Sequence, residues 1–352
     1  MIKKPILTLL LCAVILLAGC LQVELHPTEA EKQHFDSGVA FAEQGRFDKA
    51  ISEFTKAIET YPRWAQAYRN RGAAYLQKGD WHEAISDSSK AIELDLDLPG
   101  AYYIRGGAYI EIGEVDRGIA DCSRAIELDP NDPIGYYNRG RGYLFRSNDK
   151  AISDLNKAIE LDPEHADAYG VRGTAYLDKG EFDRAIDDLT KSIELSPETR
   201  DAMTYNNRGI AYFEKGDFDT ALEDFNKAIE LDSNFALSYN NRGFISFEKG
   251  DLDAALKDLD KAIELEPNYA QAYINRAAVY SELGDFDKAL ADWDQVIRLY
   301  PDSAWYYYRR GLVYEELGEN TEAIKDFEKA ISLSSDPNLI QQAEQEIEKL
   351  KK

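Results

Sequence analysis

The chain has 352 residues, with 65 Asp and Glu against 41 Lys and Arg, and a formal net charge of −24 at pH 7. Because a nucleic-acid partner requires a basic surface that neutralises phosphates, this charge argues against nucleic-acid binding. Solubility of a helical surface is a simple explanation for most of the acidity.

The amino-terminal segment differs in composition from the rest. Two lysines precede an apolar run from Pro5 to Leu17, and a Leu-Ala-Gly-Cys sequence ends at Cys20. This pattern resembles a bacterial lipoprotein signal peptide (residues 1–19). The resemblance implies that Cys20 is lipidated and begins the mature chain. Residues 20–30 would then comprise the lipidated cysteine and a short tether. An uncleaved membrane anchor is the alternative interpretation.

The lipoprotein resemblance also implies a location. Acylation through more than one chain, palmitate included, would hold the protein stably at a membrane. The residue after the cysteine is Leu21 and not an acidic residue. In a bacterium with two membranes, this resembles the pattern of lipoproteins destined for the outer membrane. We therefore expect a membrane-anchored, extracytoplasmic protein of the cell envelope. Cys122 would be the only other cysteine of the mature chain, and we interpret it as a small core residue.

A thirty-four-residue period follows the tether. The repeats share a bulky residue at position 4, small residues at 8, 20 and 27 that are mostly Gly at 8 and Ala at 20 and 27, Tyr at 11 in most repeats, and often Pro at 32. A Tyr-x-x-Arg-Gly sequence ends at Gly72, Gly106, Gly140, Gly173, Gly209, Gly243 and Gly311. These residues resemble the tetratricopeptide repeat (TPR), a helix-turn-helix unit. Nine repeats fit: 31–64, 65–98, 99–132, 133–165, 166–199, 202–235, 236–269, 270–303 and 304–337.

The residues within a repeat predict the same architecture. Positions 4, 8 and 11 share one face of a helix at about 100° per residue, which indicates a packing stripe. Position 15 is Gly in eight repeats, as expected for left-handed backbone just after a helix. The fold class is therefore all-α: a TPR solenoid, a right-handed superhelix by the family resemblance, closed by a capping helix at 338–352. Repeat four is one residue short, which we interpret as a turn variation.

No catalytic or metal-binding motif is present. His26, His34, His82 and His165 show no ligand spacing, and the acidic turns lack the Gly and final Glu of an EF-hand loop. Carboxylate pairs are too frequent here for proximity to indicate acid–base chemistry. We therefore predict a non-enzymatic protein without catalytic residues, metal ions or cofactors.

Positions 7 and 23 vary together. Repeats two to nine have Arg at 7 and Asp at 23, whereas repeat one has Ser37 and Glu53. In an antiparallel helix pair these positions face each other, so we predict a structural Arg-Asp ladder with bidentate geometry. Its pairs are Arg71 and Asp87, Arg105 and Asp121, Arg139 and Asp154, Arg172 and Asp188, Arg208 and Asp224, Arg242 and Asp258, Arg276 and Asp292, and Arg310 and Asp326.

A partner groove is predicted on the face opposite the packing stripe. In the TPR family, positions 2, 5, 9, 12 and 13 point into the concave groove, and here position 13 is mostly acidic while large aromatic residues stand beside it. A merely solvated helix face would explain the glutamates but not the aromatic residues. The candidate groove residues are Arg69, Tyr103, Glu111, Tyr137, Arg141, Phe145, Asn206, Phe213, Glu214, Asn240, Phe244, Phe247, Glu248, Glu282, Tyr308 and Glu316.

These features predict a lipid-anchored TPR scaffold or adaptor that binds protein or peptide partners in its groove. Some TPR domains clamp acidic tails with Lys and Asn at positions 5 and 9, but Arg69, Ala73 and Ile104 depart from that pattern. Basic or neutral apolar segments are therefore the favoured partners. One alternative is a groove that binds a small cationic ligand or a cell-wall fragment. Another is a targeting arm related to TPR-containing glycosyltransferases but without their catalytic domain. We expect no catalytic domain here, because the sequence after Pro337 is too short to form one.

Overall fold

The computed structural model of the protein describes residues 29–197 and 201–352, which form nineteen α-helices and no β-strand. The expected signal peptide (1–19), the lipidation site Cys20 and most of the tether lie outside these described residues. The prediction of an all-α repeat fold is confirmed.

The chain divides into two compact units, which meet in sequence at the shortened turn of repeat four, between Arg146 and Ser147. Described helices of the N-terminal unit are α1 (Glu29–Glu43), α2 (Phe47–Thr60), α3 (Ala65–Lys78), α4 (Trp81–Leu94), α5 (Pro99–Glu111), α6 (Val115–Leu128) and α7 (Pro133–Leu144). Those of the C-terminal unit are α8 (Asn148–Leu161), α9 (Ala166–Asp178), α10 (Phe182–Leu195), α11 (Ala202–Glu214), α12 (Phe218–Leu231), α13 (Ala236–Glu248), α14 (Leu252–Leu265), α15 (Ala270–Glu282), α16 (Phe286–Leu299), α17 (Ala304–Leu317), α18 (Asn320–Leu333) and α19 (Pro337–Leu350).

Small residues let the two helices of a repeat pack closely. In α12, Ala221, Phe225 and Ala228 form the buried stripe, each at most 1% exposed. Phe225 fills the space left by Gly209 on α11, where an added Cβ would lie only 2.8 Å from the Phe225 ring. The small residues of positions 8, 20 and 27 therefore lie in the core between the first and second helix of a repeat.

In eight repeats the glycine of position 15 lies one or two residues after the end of the first helix. Gly45, Gly79, Gly113, Gly180, Gly216, Gly250, Gly284 and Gly318 all have φ between 70° and 83°, and no other described residue has a positive φ. At Gly250 the turn is closed by hydrogen bonds from the backbone N–H of Gly250 to Phe247 and from that of Asp251 to Ser246, both 2.9 Å. The predicted left-handed glycines are confirmed.

Replacing Gly250 by Ala is expected to lower the free energy of unfolding by about 1–2 kcal/mol, because left-handed backbone costs an L-residue about that much. A Cβ at this position would meet nothing within 4 Å, so the cost is conformational and not steric. Gly250→Asn is the matched control, and its loss should be smaller, since Asn tolerates this conformation. Hydrogen exchange at the amides of α13 and α14 measures both, because a long repeat array need not unfold in a single step. Equal stability of wild type and Gly250→Ala would contradict the prediction.

The C-terminal helix closes the solenoid. Leu339, Ala343 and Ile347 of α19 are buried against Phe327 and Ala330 of α18. The opposite face of α19 is polar, so the helix covers an apolar end as the sequence predicted. No helix within 29–197 or 201–352 has the length and hydropathy to cross a membrane.

Candidate partner-binding face

The first helices of consecutive repeats line one face of each unit. In the N-terminal unit α1, α3, α5 and α7 contact one another in turn, as do α9, α11, α13 and α15 in the C-terminal unit. Among the described helices, the second helices of consecutive repeats make no contact of similar extent. We call the surface that the first helices form in each unit the inner face of that unit.

The Arg-Asp pairs connect the two helices of a repeat with two parallel hydrogen bonds. In repeat six, Arg208 Nε donates to Asp224 Oδ2 at 2.8 Å and Arg208 Nη2 to Asp224 Oδ1 at 2.7 Å. The same geometry occurs between Arg71 and Asp87, Arg105 and Asp121, Arg172 and Asp188, Arg242 and Asp258, Arg276 and Asp292, and Arg310 and Asp326. In repeat four, Arg139 donates to Ser123, and Asp154 is buried.

Each ladder arginine also bonds a side chain of the preceding repeat, a contact that was not predicted from the sequence. Arg208 Nη1 donates to Thr190 Oγ1 at 3.1 Å, and Arg276 Nη1 to Asp260 Oδ1 at 2.6 Å. The acceptor is always position 25 of the preceding repeat: Thr55, Ser89, Ser123, Asn156, Thr190, Asn226, Asp260 or Asp294. Position 25 is polar in all eight of these repeats, and this pattern in the aligned repeats is the sequence signal for the contact.

Repeat one replaces the arginine pair by a histidine. His34 Nδ1 lies 2.6 Å from Glu53 Oε2, and Lys56 Nζ lies 2.6 Å from Glu53 Oε1. These bonds from Lys56 and His34 hold the pKa of the Glu53 carboxyl below its usual value. The carboxylate at position 23 is therefore charged and hydrogen-bonded in repeat one too. Its partners are His34 and Lys56, and not the residue at position 7.

The inner face of the N-terminal unit carries three of the predicted aromatic residues. Arg141 bonds Glu111 and stacks 5.7 Å from the centre of the Tyr137 ring. Burial raises the pKa of Tyr103, an effect that nearby Arg69 opposes. Phe145 is 63% exposed. A separate apolar cavity of about 420 Å³ lies between α1 and α3, lined in part by Val39, Phe47, Phe54, Ala73 and Ala74.

Three predicted groove residues of the C-terminal unit are buried and not exposed. Asn206, Asn240 and Tyr308 are 0%, 3% and 9% exposed. They occupy position 5, which the packing of first helix on first helix covers, so the assumption that position 5 faces an open groove is wrong here. Tyr308 instead packs against Phe327 with a ring separation of 5.6 Å.

The buried asparagines form a chain of side-chain amides across three repeats. Asn206 Oδ1 accepts hydrogen bonds from Ser238 and Asn241, while Asn240 donates to Asn241 and accepts from Asn275 at 2.9 Å. Within the described chain the buried Asn206 Nδ2 has no partner. Position 6, which is Asn in five repeats, is the sequence signal for this chain of amides, and it was missed.

The predicted phenylalanines differ in how far they belong to the core. Phe213 and Phe244 lie edge to face at 5.6 Å, and Phe213 also contacts Phe218 at 5.4 Å. Phe247 packs against the core cluster around Leu259. Phe244 is therefore the best placed of the three for contact with a partner.

Family models described as tetratricopeptide repeat or TPR repeat match residues 35–95, 99–132, 146–165, 166–198, 202–235, 225–257, 245–284 and 268–336. Together these segments cover most of the chain. It belongs to the tetratricopeptide repeat family. No curated protein matches it.

Several solved TPR structures are similar to this protein. The crystal structure of the APC/C hetero-tetramer Cut9-Hcn1 is 17% identical with a TM-score of 0.62, covering 98% of this chain and 81% of that one. A tetratricopeptide repeat protein from Parabacteroides merdae is 20% identical with a TM-score of 0.51, covering 72% and 99%. YrrB, described as a TPR protein with an unusual peptide-binding site, is 25% identical with a TM-score of 0.40, covering 53% and 95%. The first two likenesses support the fold alone.

The rim of the inner face carries unpaired carboxylates in the C-terminal TPR repeats. Position 13 is exposed in five consecutive repeats, and none of these side chains forms an ion pair with a described residue: Asp178, Glu214, Glu248, Glu282 and Glu316. Partial burial raises the pKa of the Asp178 carboxyl above its usual value. The row gives this face a negative potential.

The described TPR repeats hold no group of three or more His, Cys, Asp or Glu side chains placed to bind a metal ion. Cys122 is fully buried in α6, as a small core residue is expected to be. The inner face has partly exposed apolar rings beside carboxylates, which suits contact with a protein or peptide.

Proposed function

We propose that this TPR protein is a non-enzymatic scaffold that binds extended protein segments along the inner face of repeats five to nine. The observation that carries the proposal is the row of five unpaired carboxylates beside apolar side chains. Exposed or partly exposed apolar residues on the same helices include Met203, Phe213 and Phe244. Apolar contacts supply affinity and the polar rim supplies orientation, as in other protein interfaces.

The favoured partner carries Lys or Arg between apolar residues. Five carboxylates without internal cations would be neutralised by such a segment, whereas an acidic tail would be repelled. The buried amide chain below this face fixes the spacing of α11, α13 and α15, since Asn206, Asn241 and Asn275 bond across these helices. A rigid face of this kind binds with little loss of conformational entropy.

We also propose that the scaffold is held at a membrane outside the cytoplasm through lipid on Cys20. This rests on the sequence alone, in which a Leu-Ala-Gly-Cys sequence ends an apolar run. Incorporation of a clickable palmitate analogue into the wild-type protein, but not into Cys20→Ser, is the expected result. Equal labelling of both proteins would show that Cys20 is not the acylated residue.

The inner face is tested with a short peptide of alternating lysine and leucine, which in an extended conformation presents one apolar and one basic face. Fluorescence anisotropy should show binding that Met203→Ala/Phe244→Ala weakens by at least about tenfold, which corresponds to about 1.4 kcal/mol. Leu231→Ala is the control, because Leu231 is similarly exposed but lies at the end of a second helix.

Two outcomes would contradict the inner-face proposal. One is equal binding by Met203→Ala/Phe244→Ala and by Leu231→Ala. The other is binding of free lysine or a diamine with the same affinity as the peptide, which would favour a small cationic ligand. Salt should weaken peptide binding, since the carboxylate row is exposed and therefore screened.

A further inference from the structure

A second set of ion pairs joins consecutive repeats at the turn between their helices. A basic residue at position 14 bonds the aspartate at position 18 of the preceding repeat. The pairs are Lys78 and Asp48 (2.7 Å), Arg146 and Asp116 (3.2 Å), Lys179 and Asp149 (2.7 Å), Lys215 and Asp183 (2.5 Å), and Lys249 and Asp219 (2.6 Å). The carboxylates are 81–89% exposed, so each pair contributes little to stability.

These pairs stop after repeat seven, but their aspartates do not. Position 14 becomes Leu283 and Leu317, which are 48% and 40% exposed. Position 18 of the preceding repeats is still aspartate, Asp253 and Asp287, and neither forms an ion pair within the described chain. Since Lys249 contacts Asp219 in the equivalent slots, Leu283 and Leu317 stand where a cation would otherwise cover these carboxylates.

The other interruption of the series is different. Between repeats two and three, position 14 is Ile112 and position 18 is His82, so the cation and the aspartate are both replaced. No carboxylate is left without its partner there. Only the junctions of repeats seven to nine, within the described residues, combine an exposed leucine with a lone aspartate.

We propose that the edge formed by Asp253, Leu283, Asp287 and Leu317, the leucine edge, docks a basic amphipathic helix of another protein. The leucines would be buried by its apolar stripe, and its Lys or Arg residues would take the place of the missing position-14 cations. The neighbouring Glu282 and Glu316, also unpaired, add to the attraction. Burial of apolar surface supplies affinity, and the charges set orientation.

The two leucines lie at the same position of adjacent repeats. Ala277 of α15 and Val313 of α17 belong to one hydrophobic cluster with Trp293 of α16, so both first helices lie against the same second helix. A partner helix that crosses the two repeats would therefore meet Leu283 and Leu317 in turn. Leucines at every seventh residue of such a helix rise about 10.5 Å apart and lie on one face, which suits contact with two neighbouring repeats.

The test uses a synthetic helical peptide with leucine at every seventh position and lysine beside each leucine. Fluorescence anisotropy should show that Leu283→Lys/Leu317→Lys, which restores the residue type that other repeats have at position 14, binds the peptide at least about tenfold more weakly. The control is Leu96→Lys/Leu231→Lys, which makes the same change of charge at two other exposed leucines and should bind like wild type. Thermal unfolding should show both variants folded.

A gain of binding provides the second arm. Lys249→Leu frees Asp219 and adds one more leucine to the edge, so it should bind the peptide several-fold more tightly. Met203→Ala/Phe244→Ala should leave this binding unchanged, which separates the leucine edge from the inner face. Equal binding by wild type and Leu283→Lys/Leu317→Lys, equal loss in the two lysine variants, or no gain with Lys249→Leu would each overturn the proposal.

Discussion

We expect Arg208→Met to lower the free energy of unfolding by about 3–5 kcal/mol, more than the double change Arg208→Met/Asp224→Leu does. The single change leaves the Asp224 side chain, only 5% exposed, as a buried charge without its bidentate partner. The double change removes both charges, and apolar side chains of similar volume can fill the space with little or no net cost. The ladder then fixes register between helices more than it adds stability.

Hydrogen exchange at the amides of α11 and α12 is the measurement for the ladder prediction, because long repeat arrays need not unfold in a single step. The control is Arg184→Met, since Arg184 is 67% exposed and its bond to Glu181 belongs to the surface. That change should cost less than about 1 kcal/mol. Equal losses for Arg208→Met and for the double variant would contradict the account.

Phe225→Ala is expected to lower the free energy of unfolding by about 3–5 kcal/mol. The Phe225 ring is 1% exposed and packs with Ala221 and Ile245, in the space that Gly209 leaves open. Removing the ring leaves a cavity that the rigid helix pair can close only in part, so the lost contacts add to the transfer free energy.

Phe145→Ala is the matched control for the cavity prediction. Phe145 is 63% exposed, and the same chemical change there should alter stability by no more than about 0.5 kcal/mol. Urea unfolding of both variants, with exchange at α12 as the local readout, gives the comparison. A loss at Phe225 as small as that at Phe145 would show that α11 and α12 rearrange to fill the cavity.

Interactions within one repeat were predictable from the sequence, because the residues that form them recur at the same positions in nearly every repeat. Gly250 and its equivalents have the left-handed backbone that their place after a helix required. The residues at positions 7 and 23 change together, and the structure pairs Arg208 with Asp224 through two hydrogen bonds. Both inferences need only the geometry of a single helix or of one helix pair.

Interactions between repeats were harder to predict, because they depend on how one helix pair sits on the next. The helical period and the groove positions of the TPR family placed Asn206 on an open face, but the neighbouring first helix buries it. The bonds from Arg208 to Thr190 and from Lys249 to Asp219 cross from one repeat to another, and no rule of local sequence fixes that distance. The proposed binding surfaces lie at such junctions, so their residues were the least predictable.

The two sets of ion pairs have a consequence for how the array forms and changes. Each bidentate Arg-Asp pair joins residues sixteen apart in sequence. The pairs between position 14 and position 18 of the preceding repeat mostly join residues thirty apart. No bond in either set therefore reaches beyond the adjacent repeat. Contact order is therefore low, and folding can begin at any helix pair and spread to its neighbours. Duplication or loss of one whole repeat would keep every remaining arginine opposite an aspartate, so the array can change length without redesign of its interior.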